Sequence, residues 1–109
     1  MKKYDFDDIK SRIIENLQNI YDPEILVNIY DLGLIYLLDL SVEDDELICK
    51  IDMTLTSFGC PIADSLVDQV YNAAAMIDEI DKVYVKLVFD PPWSYENISY
   101  EGRLELDML

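Results

Sequence analysis

The stretch Thr54-Leu55-Thr56-Ser57-Phe58-Gly59-Cys60-Pro61-Ile62-Ala63-Asp64-Ser65-Leu66 passes from an alternating strand pattern, through a turn, into a helical one. Gly59 permits an irregular backbone ahead of the cysteine, and Pro61 suits the first helical position, where a missing N–H costs nothing. Cys60 is therefore expected at a helix N-cap. A thiol there faces unpaired backbone N–H groups and the positive end of the helix dipole, which favours the thiolate, the nucleophilic and metal-binding form. The competing reading is a small buried hydrophobe, the common state of a free cysteine. Cys49 fits that second reading: it alternates with Leu47, Ile51, Met53 and Leu55 on one strand face and is expected in the core.

Outward from this seam, Leu47 to Thr56 forms a strand, preceded by Leu32 to Val42 as another. In the earlier strand Leu32, Leu34, Tyr36, Leu38, Leu40 and Val42 share one face, and Ile35, Leu37, Asp39 and Ser41 the other. The acidic Glu43-Asp44-Asp45-Glu46 connects the two as a hairpin, and Gly33 marks a bulge or a close backbone approach. On the other side of the seam, Ile62, Leu66, Val67, Val70, Tyr71, Ala74 and Ile77 recur at helical spacing, predicting a helix to about Glu79. Lys82 to Phe89 then alternates as a third strand. Near the start, Asp5-Phe6-Asp7-Asp8 supplies capping carboxylates ahead of Ile9, Ile13, Ile14, Leu17 and Ile20, one apolar face of a helix ending near Asn19. Beyond Pro91-Pro92, Ser94 and Ser99 are each placed to cap a short helical turn.

The order helix, strand, strand, helix, strand predicts a single domain, residues 1–109. Its class is α/β, a two-layer α+β sandwich with a small mixed sheet, helices on one face and a short irregular helical tail. A strand, crossover helix and strand imply a parallel return, beside either of the first two strands. The hairpin sets Asp31 to Gly33 opposite Thr56, and the parallel return brings Asp90-Pro91-Pro92-Trp93 to that end as well. Cys60, Asp22, Glu24, Asp31, Thr54, Thr56 and Trp93 are thus expected to gather at one end of the sheet, where ligands of open α/β folds bind. Each has a plainer role available: Asp22 as a cap, Asp31 as a turn anchor, the threonines as solvent-face strand residues, Trp93 as a hydrophobic lid.

Composition narrows the function. With 23 acidic against 8 basic residues and a net charge of −15, the surface repels phosphate backbones and anionic lipids, so neither nucleic acid nor a membrane is an expected partner. No apolar run approaches a membrane span, and the N-terminal residues lack a signal-peptide pattern, which points to the cytoplasm. Two cysteines without secretory features argue for reduced thiols. The absence of histidine excludes a Cys-His pair, a Ser-His-Asp triad and a Cys/His zinc site.

Asp22-Pro23-Glu24, Asp31-Leu32-Gly33-Leu34-Ile35-Tyr36, Thr54-Leu55-Thr56, Gly59-Cys60-Pro61, Asp90-Pro91-Pro92-Trp93 and Gly102-Arg103-Leu104 stand in an order that resembles the SufT/PaaD-like family of small iron–sulfur cluster assembly proteins. The resemblance covers most of the chain, with Phe58 standing where the family often has a small residue or proline. It implies the same α-β-β-α-β domain, and Cys60 as the cluster or metal contact. Asp22, Glu24, Asp31, Thr54, Thr56, Trp93 and Arg103 would line its pocket. It further implies an accessory, non-enzymatic role in maturing iron–sulfur proteins. Expected partners are the assembly machinery or apo client proteins, with self-association as a homodimer.

One exposed cysteine cannot build a four-cysteine cluster site, and Cys49 lies on the order of 20 Å away along an extended path. The expected cofactor is therefore a transient or subunit-bridging iron–sulfur cluster, or none. Two other classes stay open. One is a thiol enzyme using Cys60 with a carboxylate base such as Glu24, and the other is a pure interaction module with a structural Cys60.

Overall fold

The computed structural model describes residues 4–22, 25–56 and 63–106, by backbone alone at 63 and 64. Strands β1 (Ile35–Glu43) and β2 (Glu46–Met53) form the expected antiparallel hairpin. At its tip Asp44 and Asp45 both take left-handed backbone, with φ of 52° and 63°. That pair of conformations matches the right-handed twist of the flanking strands, and aspartate tolerates it better than most residues. Strand β3 (Lys82–Leu87) lies parallel to β2, giving the order β1-β2-β3 and placing β2 in the centre. Its entry is pinned by Asp81, whose carboxylate accepts from the Leu47 N–H at 2.7 Å and whose own N–H donates to the Leu47 carbonyl at 2.8 Å.

Helix α1 (Phe6–Leu17) starts where the carboxylates predicted, with the Asp5 side chain accepting from the Asp8 N–H at 3.1 Å. Ile9, Ile13 and Leu17 form its buried face. Helix α2 (Ala63–Ala75) buries Leu66, Val70, Ala73 and Ala74. It packs on β3, and α1 packs on α2 and β1. Burying a side chain such as Leu66 or Val70 is worth roughly 1.5–3 kcal/mol, so these stripes decide which sheet face the helices cover. That face carries Leu47, Cys49, Ile51 and Met53. Arg12 joins the layers at one margin through a two-pronged pair with Glu79, one arm at 3.2 Å. No helix among the described residues is long and apolar enough to cross a membrane.

Several boundaries and faces differ from expectation. Helix α2 ends at Ala75 and not near Glu79, so Ile77 enters the core from the connector, and Tyr71, expected on the apolar face, is exposed. Strand β3 stops at Leu87, leaving Phe89 outside it and exposed. Strand β1 begins at Ile35 and not at Leu32, and its register slips between Ile35 and Leu37. One extra residue, Tyr36, fits into that slip and inverts the face assignment: Ile35 pairs with buried Met53 and joins the core side. Tyr36 instead donates its hydroxyl to the Pro91 carbonyl at 2.8 Å. A bulge does this whenever it inserts a residue, because strand side chains alternate with period two.

After β3 a short 3-10 turn (Tyr95–Asn97) leads into helix α3 (Tyr100–Glu105). Ser99 caps α3, its hydroxyl accepting from the Gly102 N–H at 3.1 Å, whereas Ser94 precedes the 3-10 turn without a side-chain cap bond.

Candidate functional site

The start of β1, the end of β2 and the end of β3 meet at one end of the sheet. Ile35 and Leu87 both pair with Met53, and the Thr54 N–H continues the ladder to the Leu34 carbonyl at 2.8 Å. The convergence expected for the strand ends is therefore present. The candidate side chains there divide into two groups.

The first group is Asp22 and Thr56. Asp22 is 3% exposed; one of its oxygens accepts from the Ile25 N–H at 3.1 Å, and the other accepts from the Thr56 hydroxyl at 3.4 Å. Asp22 thus caps its own turn, as its position before a proline suggested, and also reaches across to the end of β2. Thr54, two residues earlier, is 1% exposed and faces inward, which overturns the reading of it as a solvent-face residue. Glu24 and Cys60 lie outside the described residues, as does the expected N-cap at Cys60 with Pro61 behind it. The chain on either side of those positions is what Asp22 and Thr56 join.

The second group is centred on Asp31, 9% exposed. Its carboxylate accepts from the Asn28 amide at 2.7 Å and from the Ser99 hydroxyl at 3.0 Å, while its carbonyl accepts from the Ser99 N–H at 2.7 Å. Asn28 in turn accepts from the Asp31 N–H at 2.9 Å, closing a turn through its side chain. Asp31 therefore acts as the anchor that holds α3 against the lead-in to β1. Gly102 permits that approach, since a Cβ there would sit 2.8 Å from the Ile98 side chain and 3.2 Å from the Asp31 carbonyl oxygen. Gly33, with φ of 78°, does the same one turn away: a Cβ would strike the Asn97 carbonyl oxygen and lie 2.9 Å from the Asn97 Cβ.

Trp93 covers this region as the lid reading suggested, packing on the core and donating its indole N–H to the Leu32 carbonyl at 2.6 Å. Arg103 turns back on the tail, bonding the carbonyls of Ile98 at 3.2 Å and Glu96 at 3.3 Å. Both brace the Asp31 group. Asn28 and Tyr36 were not singled out from the sequence; only the Asn28-x-x-Asp31 spacing, a side-chain turn signature, pointed to either.

Soft metal donors are scarce. The chain has two cysteines and no histidine. Cys49 is fully buried in the core, and its thiol is pushed up to about 11 by desolvation and then by the nearby Asp39 charge. A thiol held protonated beneath the sheet is no ligand. Among the described residues no group of three or more cysteine, aspartate or glutamate side chains is arranged to hold a metal ion. Cys60, the other cysteine, lies outside the described residues.

The family profile described as "Iron-sulfur cluster assembly protein" matches residues 10–87. The chain belongs to this family. It is 40% identical over 87 residues to the Fe-S protein maturation auxiliary factor SufT of Staphylococcus aureus (strain USA300), covering 80% of this chain and 96% of that protein. It is 38% identical over 98 residues to the Fe-S protein maturation auxiliary factor YitW of Bacillus subtilis (strain 168), covering 90% and 93% respectively. Among solved structures, a domain of unknown function, DUF59, from Bacillus anthracis superposes with a TM-score of 0.74 at 31% identity, covering 94% of this chain and 95% of that one. Rv1466 from Mycobacterium tuberculosis, a protein associated with [Fe-S] complex assembly and repair, superposes with a TM-score of 0.56 at 33% identity, over 99% and 91%. The fold of this family is the α-β-β-α-β arrangement described above, and the SufT/PaaD-like resemblance read from the motifs agrees with it.

Proposed function

We propose that this protein is an accessory factor in the maturation of iron–sulfur proteins, acting as an adaptor or transient cluster carrier through Cys60 and not as a turnover enzyme. Membership of the assembly family carries the reading, and relatives covered almost end to end are named as maturation auxiliary factors. The thiol inventory refines it. One usable thiolate per chain supplies one ligand where a cluster of this kind takes four, so a cluster is cargo that Cys60 shares with ligands from a donor, a client or a second subunit. A single ligand also suits release, because handing a cluster on requires displacing one protein thiolate. The partners in this reading are the assembly machinery and apo client proteins, and the protein works as a homodimer in the cytoplasm.

Asp22 and Thr56 join the chain leading toward residues 23–24 to the chain leading toward residues 57–62. They hold the approach to Cys60 in place without being donors to iron themselves. The test is complementation of a strain lacking its own factor, scored by the activity of a cluster-dependent enzyme, with iron and sulfide analysis of anaerobically purified protein. Cys60→Ser keeps an oxygen able to cap a helix but loses the soft thiolate, so it is expected to fold and fail. Full activity of folded Cys60→Ser overturns the thiol's role and leaves an interaction module.

A further inference from the structure

Strand β3 is an edge of the sheet: β2 pairs with one side of it, and among the described residues no strand pairs with the other. The Val88 N–H donates inward to the Met53 carbonyl at 2.8 Å, so alternation along the strand turns the N–H and C=O groups of Val83, Val85 and Leu87 outward. The opposite edge of the sheet differs. Strand β1 is interrupted by the bulge at Tyr36, which spoils an edge for pairing, whereas β3 keeps unbroken register from Lys82 to Leu87.

The outer margin of β3 has an apolar side and a basic side. On the helix side Val83, Val85 and Leu87 pack on the core yet are only half-buried. Helix α2 lies over them and turns Gln69, Asn72 and Met76 toward Asn16 of α1. Helical spacing then sets Val67 and Tyr71 on its far flank, above the outer margin of β3, and Tyr71 is 46% exposed there. On the open face of the sheet β3 presents Lys82, Tyr84 and Lys86, with Tyr84 54% exposed. Both charged side chains of this strand are cations, in a chain with 23 acidic and 8 basic residues.

We propose that the outer edge of β3 seats an extended segment of another protein, one whose side chains alternate between apolar and acidic. The segment joins the sheet as a fourth strand, held by main-chain bonds to Val83, Val85 and Leu87. Its side chains alternate with period two, so one set lies on the helix side beneath Val67 and Tyr71 and the other lies beside Lys82 and Lys86. The lysines decide the occupant. A second β3 in register would set lysine beside lysine, which protects the edge from pairing with itself, whereas a strand bearing carboxylates on that side is attracted. Lys82 already meets Glu46 at 3.4 Å, an exposed pair worth little and readily shared. Strand β3 ends beside Met53, at the same end of the sheet as the Asp22–Thr56 link, so a seated segment runs toward the candidate site. That the segment belongs to a client or an assembly protein rests on the maturation reading; the binding edge itself does not.

Nuclear magnetic resonance of the reduced, iron-free, isotope-labelled full chain tests this by amide shifts and hydrogen exchange. The probe is a capped peptide of about seven residues alternating valine and glutamate, long enough at about 3.3 Å per residue to span β3. Its titration should give saturable shifts centred on β3, and at saturation the outward amides of Val83, Val85 and Leu87 should exchange at least roughly tenfold more slowly. A peptide with lysine in place of glutamate should bind at least roughly tenfold more weakly at low salt, and the difference should shrink at about 0.5 M salt. Lys82→Glu/Lys86→Glu, shown by circular dichroism to be folded, should reverse that preference. Only one alternate set of peptide amides faces β3, so N-methylation of one set should abolish binding and N-methylation of the other should spare it. The absence of saturable shifts at the peptide's solubility limit overturns the proposal, as do shifts centred away from β3. So does binding indifferent to peptide charge, to the lysine variant or to both methylations. A chain that protects the same three amides by itself as its concentration rises would give the edge to a second copy, and overturns it too. Binding is read without iron or maturation, so failure here leaves the Cys60 reading standing, and an active Cys60→Ser leaves this edge standing.

Discussion

Replacing Asp31 by alanine separates a pocket residue from an anchor. In the folded chain its carboxylate accepts from the buried Asn28 amide and from the half-buried Ser99 hydroxyl. Truncation to a methyl group leaves both donors without that acceptor, at about 1–3 kcal/mol each, so the loss is about 2–6 kcal/mol. For a chain of this size, 1 kcal/mol moves the melting temperature by roughly 4 °C, and a fall of about 8–24 °C is expected. Asp31→Asn keeps one acceptor oxygen and should cost about half as much. The decisive comparison is the double mutant. Ser99→Ala by itself removes a donor to Asp31 and the cap of α3, but in an Asp31→Ala background the serine hydroxyl has already lost its partner. The two losses should therefore fall short of additivity by about 1 kcal/mol. Urea unfolding of the four proteins, followed by circular dichroism, measures this. The same variants, grown cool enough to stay folded, should still support a cluster-dependent enzyme. A stability loss under about 1 kcal/mol would refute the anchor assignment, as would a strictly additive double mutant or a stable Asp31→Ala that abolishes maturation.

The other expectations come from single sites. Gly33→Ala puts a Cβ into left-handed backbone and against the Asn97 carbonyl. It should cost about 2–4 kcal/mol, visible as a lower melting temperature, and an unchanged melt would mean that the tail does not pack there. Cys49→Ser places a hydroxyl in apolar surroundings and should lose about 1–3 kcal/mol, yet support maturation wherever it is folded. Loss of maturation in the folded variant would give this buried thiol a role beyond packing. The Cys49 thiol also predicts an alkaline limb. Its folded pKa is raised to about 11 from an ordinary 9.0, so between those values the unfolded chain binds fewer protons and stability falls as pH rises. That contribution is complete below pH 9 and should be absent from Cys49→Val, which the difference between the two proteins' melting temperatures across that window reports.

What could be read from the sequence follows from the range of the forces involved. Periodicity is local, and it located both long helices, the three strands and the inward place of Cys49. Asp44-Asp45 announced its hairpin because turn chemistry is local too. The errors arise where one residue depends on a distant one. Tyr36 sits in the alternation as an ordinary inward residue, and its departure to the Pro91 carbonyl involves a partner 55 positions away. That departure inserts the bulge and carries Ile35 to the core side. Whether β3 lies beside β1 or β2 is a question about two surfaces of equal apolar character, which periodicity does not rank. Helix α2 ends at Ala75 with neither glycine nor proline to mark it.

The same distinction explains why one set of motif residues does two jobs. Asp22 and Asp31 look alike in sequence, each an acidic residue beside a turn and near the site end of the sheet. Their partners differ: Asp22 meets Thr56, 34 positions on, whereas Asp31 meets Ser99, 68 positions on. The first link joins the two approaches to segments 23–24 and 57–62. The second fastens the C-terminal helix beneath the strand lead-in, with Trp93 and Arg103 as further braces. A tail secured by Asp31 fixes Leu32 and Gly33, and through the Leu34–Thr54 bond it fixes the end of β2. Thr56, two residues further, is thereby presented to Asp22 on a rigid base. Substitutions in the Asp31 group should consequently lower maturation only as far as they lower the folded population, while substitution of Cys60 removes maturation from a chain that stays folded.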